Sequence, residues 1–330
     1  MQYRKFGNTD LLVGEIGFGA WAIGGNAKVG ETPIGWGSVD DEVSKKAIHA
    51  ALDNGINFFD TADFYGLGHS EKILGDELFN KKEAIIATKV GHRNIDEKIV
   101  LDYSKKYILQ ACEQSLKRLK RDTIDYYQLH SARMQQLEQG ECIEAMQLLK
   151  QQGKVRYWGL SLNTFYPDAE ADYLMEKNLG DGFQLVFNLI NQRAIDVITK
   201  AYQNGYGIIA RMPLQFGLLT GKFSSQTHFA SDDHRSFRLT PHIMQSTLKV
   251  LEEKVWPVAE NEQLTKTQLA LSFILSFKEI STIIPGIRTP EHVIQNTSGI
   301  KTLTEQNKRF LQSLSQSGWT NVVEMMEKQG

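Results

Sequence analysis

The segment Asn57-Phe58-Phe59-Asp60-Thr61-Ala62-Asp63-Phe64-Tyr65-Gly66 changes from apolar to polar within four residues. Its first part has the near-continuous apolar character of a strand that is covered on both faces of a sheet. Polar side chains begin at Asp60, and a glycine follows Tyr65, as expected where a strand passes into a loop. The segment therefore predicts a buried strand that carries polar residues at its carboxyl end.

Seven further runs share this apolar character along almost the whole chain. The eight predicted strands cover residues 15–19, 57–60, 84–89, 124–129, 155–160, 183–188, 207–210 and 282–285. Segments with apolar side chains at helical spacing separate them, for example Asp41–Asp53, with Ser38 as a candidate cap. Strands that alternate with helices indicate a parallel sheet, and eight such units close a barrel. We therefore predict a (β/α)8 TIM barrel that forms a single domain over residues 1–330.

Three regions lie outside this repeating pattern. Residues 3–13 hold a turn signal between two short extended pieces, which predicts an N-terminal β-hairpin that closes one end of the barrel. Residues 221–240 form a long polar stretch after the seventh strand, and loops of this length usually have a function. The last thirty residues have a helical pattern and predict extra C-terminal helices.

The composition excludes several classes of protein. The net charge is −2 and no charge run stands out, so neither nucleic acid nor membrane is indicated as a partner. Residues 1–10 are polar and precede no apolar segment of the secretory type, and no run approaches the roughly 20 apolar residues of a membrane span. Cys112 and Cys142 fit neither a disulfide framework nor a metal motif. We expect a cytoplasmic protein with reduced thiols; the oligomeric state stays open.

Four polar residues at the ends of three adjacent predicted strands form a coherent chemical set: Asp60, Tyr65, Lys89 and His130. A free phenol has a pKa of about 10, and a nearby ammonium favours its phenolate form; Lys89 is the candidate ammonium. Asp60 can keep a buried Lys89 charged, and His130 can orient a carbonyl oxygen. The set predicts reduction of a carbonyl group, with Tyr65 as proton donor, and the histidine and cysteine spacing indicates no metal.

A competing motif occurs near the amino terminus. Gly17-Phe18-Gly19-Ala20-Trp21-Ala22 fits the dinucleotide fingerprint G-x-G-x-x-A of a doubly wound fold, with Asp40 about 20 residues further on. That fold needs a helix to begin inside the motif, whereas glycines and a proline follow it. The context therefore argues against the doubly wound fold.

Three segments of the chain resemble the catalytic segments of the aldo-keto reductases. They are residues 59–66, Thr88-Lys89-Val90 and Gln128-Leu129-His130. The resemblance extends over about the whole chain. It implies a barrel that binds NADP(H) across the carboxyl ends of its strands and reduces aldehydes or ketones, or oxidises the corresponding alcohols.

The resemblance also implies which residues hold the cofactor. They are Ser161, Asn163, Gln184, Arg211, Pro213, Leu214, Gly217, Lys222, Gly286, Arg288, Thr289, His292 and Asn296, with Arg235 as a further phosphate candidate. The family usually has an aromatic residue at the position of Arg211, where it stacks on the nicotinamide; a planar guanidinium can stack likewise. Arg288 precedes a helix start with Thr289 as cap, which favours a 2′-phosphate and hence NADP over NAD.

Two other functions stay open at the level of sequence. Some members of the family are cofactor-binding regulatory subunits, in which catalysis is slow or dispensable, and intact catalytic residues do not exclude that role. A lyase or aldolase with Lys89 as a Schiff-base amine is the second alternative. The substrate pocket has only weak candidates, namely Trp21, Trp36 and Phe64, and the sequence does not identify the substrate.

Overall fold

The computed structural model describes residues 1–35, 37, 39–230 and 233–329. Trp36 and Ser38, predicted at the pocket and at a helix start, lie outside the described residues. Within them, Asp40 caps the first helix by accepting from the backbone N–H groups of Glu42 and Val43. No helix of this described part is long and apolar enough to cross a membrane.

Eight parallel strands form one sheet, in which each strand is hydrogen-bonded to its neighbours in chain order. The strands are β1 Phe18–Gly19, β2 Phe58–Asp60, β3 Ile85–Val90, β4 Ile124–His130, β5 Val155–Ser161, β6 Gly182–Val186, β7 Gly207–Arg211 and β8 Thr282–Ile284. Parallel bridges from Ile16 to Ile283 and from Gly19 to Gly286 join the first strand to the last. The sheet thus forms the nearly closed (β/α)8 barrel that the sequence predicts.

Helices separate the strands and cover the outside of the barrel. They are α1 Asp41–Asp53, α2 His69–Leu78, α3 Lys105–Leu119, α4 Met134–Gln139, α5 Glu141–Gln151, α6 Asp168–Glu176, α7 Ile195–Gln203, α8 Arg235–Arg238, α9 Pro241–Val250, α10 Trp256–Asn261, α11 Lys266–Leu275, α12 Pro290–Thr297, α13 Glu305–Ser317 and α14 Thr320–Glu327. The last two helices confirm the predicted helical carboxyl terminus.

The amino ends of the strands form the closed end of the barrel. Strands Tyr3–Lys5 and Leu12–Gly14 make the predicted hairpin, and the ring of Phe6 between them is fully buried. That ring lies 4.9 Å from the ring of Tyr126, centroid to centroid. A Cβ on Gly207 would lie 2.5 Å from the Phe6 ring, so glycine is needed there to admit the ring. The hairpin therefore closes this end by inserting an aromatic side chain.

The structure differs from the sequence-based prediction in two places. The first strand is only two residues long, because the preceding residues make single bridges to β8. Two unpredicted hairpins occur at the other end of the barrel, Lys28–Val29 with Thr32–Pro33 and His92–Ile95 with Lys98–Leu101. The second hairpin turns at Asp96 and Glu97, both at positive φ, where the usual asparagine or glycine signal is missing.

Candidate active site

The carboxyl ends of the strands form the mouth of the barrel, and Lys89 lies buried just beneath it. Its ammonium donates to Asp60 Oδ2 at 2.7 Å, to the carbonyl oxygen of Thr61 at 2.8 Å and to the hydroxyl of Tyr65 at 3.2 Å. Burial lowers the pKa of Lys89, but the Asp60 carboxylate and Tyr65 outweigh it and leave that pKa raised. Lys89 is therefore a charged ammonium in contact with a phenol.

The Asp60 carboxylate is held by two further side chains. The amide nitrogen of Gln184 donates to its Oδ1 at 2.7 Å, and that of Gln128 donates to the same oxygen at 3.2 Å. Asp60 is 2% exposed, so these hydrogen bonds and Lys89 replace the water that it loses on folding. Gln184, predicted to bind the nicotinamide amide, here lines the cavity and supports Asp60.

A tight turn fixes the position of Tyr65. Gly66 follows it with φ of +61°, and a Cβ there would lie 2.0 Å from the carbonyl oxygen of Gly24. Only glycine allows the loop after β2 to approach the loop after β1 this closely. The ring of Tyr65 lies 6.3 Å from that of Trp21, which places both side chains on the same cavity.

His130, at the end of β4, has its ring centroid 6.0 Å from that of Tyr65. Burial, together with the charge of Lys89 and the neighbouring His92, holds the pKa of His130 well below its ordinary value. Its imidazole is therefore neutral near pH 7 and carries one N–H donor and one acceptor nitrogen. Its Nδ1 is buried without a hydrogen-bond partner among the described residues, and the residue lines the cavity, where a ligand oxygen can bind.

A cavity of about 670 Å³ opens at the mouth and contains Asp60, Tyr65 and His130 in its lining. Its cationic lining residues are Arg211, Lys222, Arg235, Arg238 and Arg288. Asp60 is the one carboxylate in the lining within the described part of the chain. The whole chain has a net charge of −2, so the excess of positive charge is specific to this cavity and favours an anionic ligand.

The helix start predicted after β8 forms one wall of the cavity. Pro290 is the first residue of α12, and the Thr289 side chain caps the helix by accepting from the N–H of His292. Arg288, His292 and Asn296 line the cavity beside this helix start, and burial lowers the pKa of His292. A helix start beside a guanidinium is a suitable position for a phosphate.

The predicted cofactor residues do not all reach the cavity. Pro213, Leu214, Gly217, Lys222 and Gly286 line it, as do the pocket candidates Trp21 and Phe64. Thr289 instead serves as the helix cap. Ser161 is buried in register with His130 beneath the lining.

Two of these residues are committed to other contacts. The Oδ1 of Asn163 accepts from the backbone N–H groups of Phe165 and Tyr166, so its side chain shapes a turn outside the cavity. Arg235 lines the cavity, but it forms an ion pair of 2.6 Å with Asp233, which offsets its charge. That ion pair weakens the case for Arg235 as a phosphate ligand.

Sequence reasoning missed several residues that line the cavity, among them His92, Phe216, His234 and Arg238. His92 lies 4.3 Å from His130, centroid to centroid, and its place three residues after Lys89 is a signal that could have indicated it. Phe216 and His234 pack ring to ring at 5.1 Å, a contact between distant segments that no local pattern shows.

The backbone after β7 is strained where it lines the cavity. Met212, Gln215 and Phe216 have φ of 55°, 42° and 56°, which is unusual for residues with a side chain. Strained residues of this kind cluster at ligand sites, where the surrounding structure holds them.

A model described as the aldo/keto reductase family matches residues 15–314. The chain belongs to this family of oxidoreductases. It is 30% identical over 318 residues to the Bacillus subtilis oxidoreductase YqkF, with 95% of this chain and 96% of YqkF covered. It is 29% identical over 316 residues to L-galactose dehydrogenase of Arabidopsis thaliana, with 92% and 89% covered. The solved structure of glycerol dehydrogenase AKR11B4 from Gluconobacter oxydans is similar with a TM-score of 0.81 at 29% identity, covering 96% of both chains.

Proposed function

We propose that this aldo/keto reductase uses NADP(H) to reduce a small aldehyde or ketone to an alcohol. The observation that carries the proposal is the contact of 3.2 Å between the Tyr65 hydroxyl and the buried Lys89 ammonium, at the base of the cavity. An ammonium at this distance can stabilise the negative charge that develops on the phenol oxygen as its proton is transferred.

The lining of the cavity fits a phosphorylated dinucleotide. Arg288 and Lys222, with the start of α12, would hold the 2′-phosphate, and Arg238 is a further candidate for an anion. The side-chain carbonyl oxygen of Gln184 would accept a hydrogen bond from the carboxamide of the nicotinamide. When bound, NADPH supplies a hydride, which is the two-electron reductant that a carbonyl carbon requires.

The side chains of Asp60, Tyr65, Lys89 and His130 together supply the proton and orient the carbonyl group. Tyr65 donates its proton to the carbonyl oxygen, and Lys89 stabilises the phenolate that remains. Asp60 keeps Lys89 charged in its buried position. The neutral ring of His130 hydrogen-bonds to the same carbonyl oxygen and fixes its direction.

The surroundings of Lys89 argue against the Schiff-base alternative. An amine must be neutral and accessible to attack a carbonyl carbon. Lys89 is 0% exposed, and its three hydrogen-bond partners and raised pKa keep it protonated. Its position suits an electrostatic role better than a nucleophilic one.

The test is a consumption assay of NADPH against sugars, aliphatic aldehydes, aromatic aldehydes and pyridoxal. We expect turnover with at least one of these classes. Tyr65→Phe should bind NADPH as the wild type does and lose roughly a thousandfold in kcat, since it keeps the ring and removes the proton donor. A kcat near that of the wild type in this variant would refute the assigned role of Tyr65.

A further inference from the structure

Arg211, the last residue of β7, is a half-buried cation with no ion-pair partner among the described residues. Its guanidinium donates to the carbonyl oxygen of Leu162 at 3.3 Å and to the hydroxyl of Thr164 at 3.1 Å, and it contacts the sulfur of Met212 at 3.2 Å. All three are neutral acceptors. No carboxylate of the described residues forms an ion pair with Arg211, and its Nε is buried without a partner.

The contrast with Lys89 shows how unusual this arrangement is. Lys89 is fully buried, and the Asp60 carboxylate lies 2.7 Å from its ammonium. Burial is the largest cause that lowers the pKa of Arg211; Tyr65 and Asp60 raise that pKa in part, and nearby Arg238 lowers it further. A guanidinium nevertheless remains protonated in proteins. Arg211 therefore places a full positive charge on the wall of the cavity at a cost in stability.

The hydrogen bonds of Arg211 show where this charge lies. They join β7 to the loop after β5. Ser161, the last residue of β5, pairs in register with His130. Arg211 and Gln184 both line the cavity, next to the carboxyl ends of β5 and β6. The phosphate end, at Arg288 and α12, lies across β8 from β7. A dinucleotide that connects the phosphate end to Tyr65 and His130 must bring its reacting ring past Arg211.

The charge of that ring depends on its oxidation state. The nicotinamide ring is neutral in NADPH and carries a positive charge in NADP⁺. A fixed positive charge beside it repels the oxidised form and leaves the reduced form almost unaffected. The repulsion is strongest at contact distance, where the effective dielectric constant is well below that of water.

We infer that Arg211 sets the preference of this site for reduced over oxidised cofactor. The inference rests on the proposed function, because it requires a nicotinamide at the mouth. The consequence is weak inhibition by the oxidised product during carbonyl reduction, since NADP⁺ leaves a site that repels its ring. Arg211 thus acts on the redox state of the bound cofactor and not on the proton donor.

Equilibrium binding tests this without turnover. Dissociation constants for NADPH and for NADP⁺ are measured by quenching of tryptophan fluorescence, with Trp21 in the cavity as a reporter. Arg211→Met should lower the ratio of the NADP⁺ constant to the NADPH constant roughly tenfold, mainly through tighter NADP⁺ binding. A tenfold change in this ratio shifts the potential of the bound couple by about 30 mV.

Two further variants separate charge from shape. Arg211→Lys keeps the charge and should keep the wild-type ratio, whereas Arg211→Gln removes the charge, keeps a hydrogen-bonding group and should behave as Arg211→Met does. Arg309→Gln is the matched control, because its side chain is 81% exposed and does not line the cavity. It should leave both constants unchanged.

The outcomes that overturn the inference are distinct from failure of the proposed function. An unchanged ratio in both Arg211→Met and Arg211→Gln overturns it while NADPH binding stands. If Arg211→Lys lowers the ratio of the two dissociation constants as much as Arg211→Met does, the inference is also overturned, because geometry and not charge would then be the cause. If the wild type binds neither NADPH nor NADP⁺, the proposed function and this inference fall together.

Discussion

The two ends of the barrel differ in the kinds of side chain that they bury. The closed end is filled by apolar side chains, including Phe6, Phe58 and Ile209, around the Tyr126 ring. The mouth buries Lys89, Asp60 and Gln184, and it also exposes several cations to the cavity. Apolar filling stabilises a fold by removing area from water, whereas buried charge does so weakly or not at all. The comparison indicates that one end carries stability and the other carries chemistry.

The largest expected effect comes from removing the charge at the mouth. Lys89→Met should lower turnover about a thousandfold, because Tyr65 loses the cation that stabilises its phenolate. It should also lower the free energy of unfolding by about 3–5 kcal/mol, because Asp60 is left buried without a counter-ion. Turnover assays and urea unfolding measure the two effects on the same protein.

A double variant sharpens this prediction. Lys89→Met with Asp60→Asn removes both charges and keeps an acceptor for Gln184 and Gln128, so most of the lost stability should return. Activity should stay lost. If the double variant is as unstable as the single one, the Lys89–Asp60 pair is a structural requirement, and the division between the two ends fails.

The matching change at the closed end is Phe6→Ala. It removes a fully buried ring and leaves a cavity against Gly182 and Gly207, so the free energy of unfolding should fall by about 3–5 kcal/mol. We expect kcat/KM to stay within twofold of the wild type at a temperature where the variant is folded. A large loss of kcat/KM in the folded variant would show that the hairpin also positions the mouth.

The same difference explains how much of the molecule the sequence predicts. The barrel follows from apolar runs and helical spacing, because a strand covered on both faces must be apolar, and the catalytic residues follow from polar groups at strand ends. Contacts between distant loops leave no such pattern. His234 packs on Trp21 at 5.0 Å from a segment more than 200 residues away, and nothing near either residue indicates the partner.

Side chains that bind groups close to them in the chain also limit what the sequence predicts. Asn163 was predicted to hold the cofactor, but its carboxamide caps a turn, which a sequence cannot distinguish from a ligand contact. The predicted phosphate ligand Arg235 likewise pairs with Asp233 two residues away. Short polar side chains and neighbouring acids can satisfy each other locally, so a match to a family motif does not show that a side chain is free.

A smaller effect is expected at the phosphate end of the mouth. Arg288→Ala should weaken NADPH binding roughly tenfold to thirtyfold and change NADH binding by less than twofold, because only NADPH carries the 2′-phosphate. The measurement is fluorescence titration with both cofactors, with Arg309→Ala as the exposed control. An equal loss for NADPH and NADH would show that Arg288 contacts a group that both share.

The last effect concerns the response of the mouth to acid. Burial holds the pKa of His92 at about 4, and the pKa of His234 is also about 4, while an unfolded histidine titrates near 6.5. Below pH 6.5 the unfolded chain therefore binds protons that the folded chain rejects, so stability should fall as the pH drops from 6.5 toward 4. Each histidine contributes up to about 1 kcal/mol per pH unit in this window.

Both histidines line the mouth, so part of its acid sensitivity can be removed without touching the closed end. His92→Phe with His234→Phe should flatten the decline of unfolding free energy between pH 6.5 and pH 5, as measured by urea titration at each pH. His242→Phe, on the exposed side of α9, is the control and should leave the slope unchanged, because its ring stays in water when the chain folds. An unchanged slope in the double variant would contradict this prediction. It would mean that water reaches these rings in solution and that the mouth is more hydrated than its packing indicates.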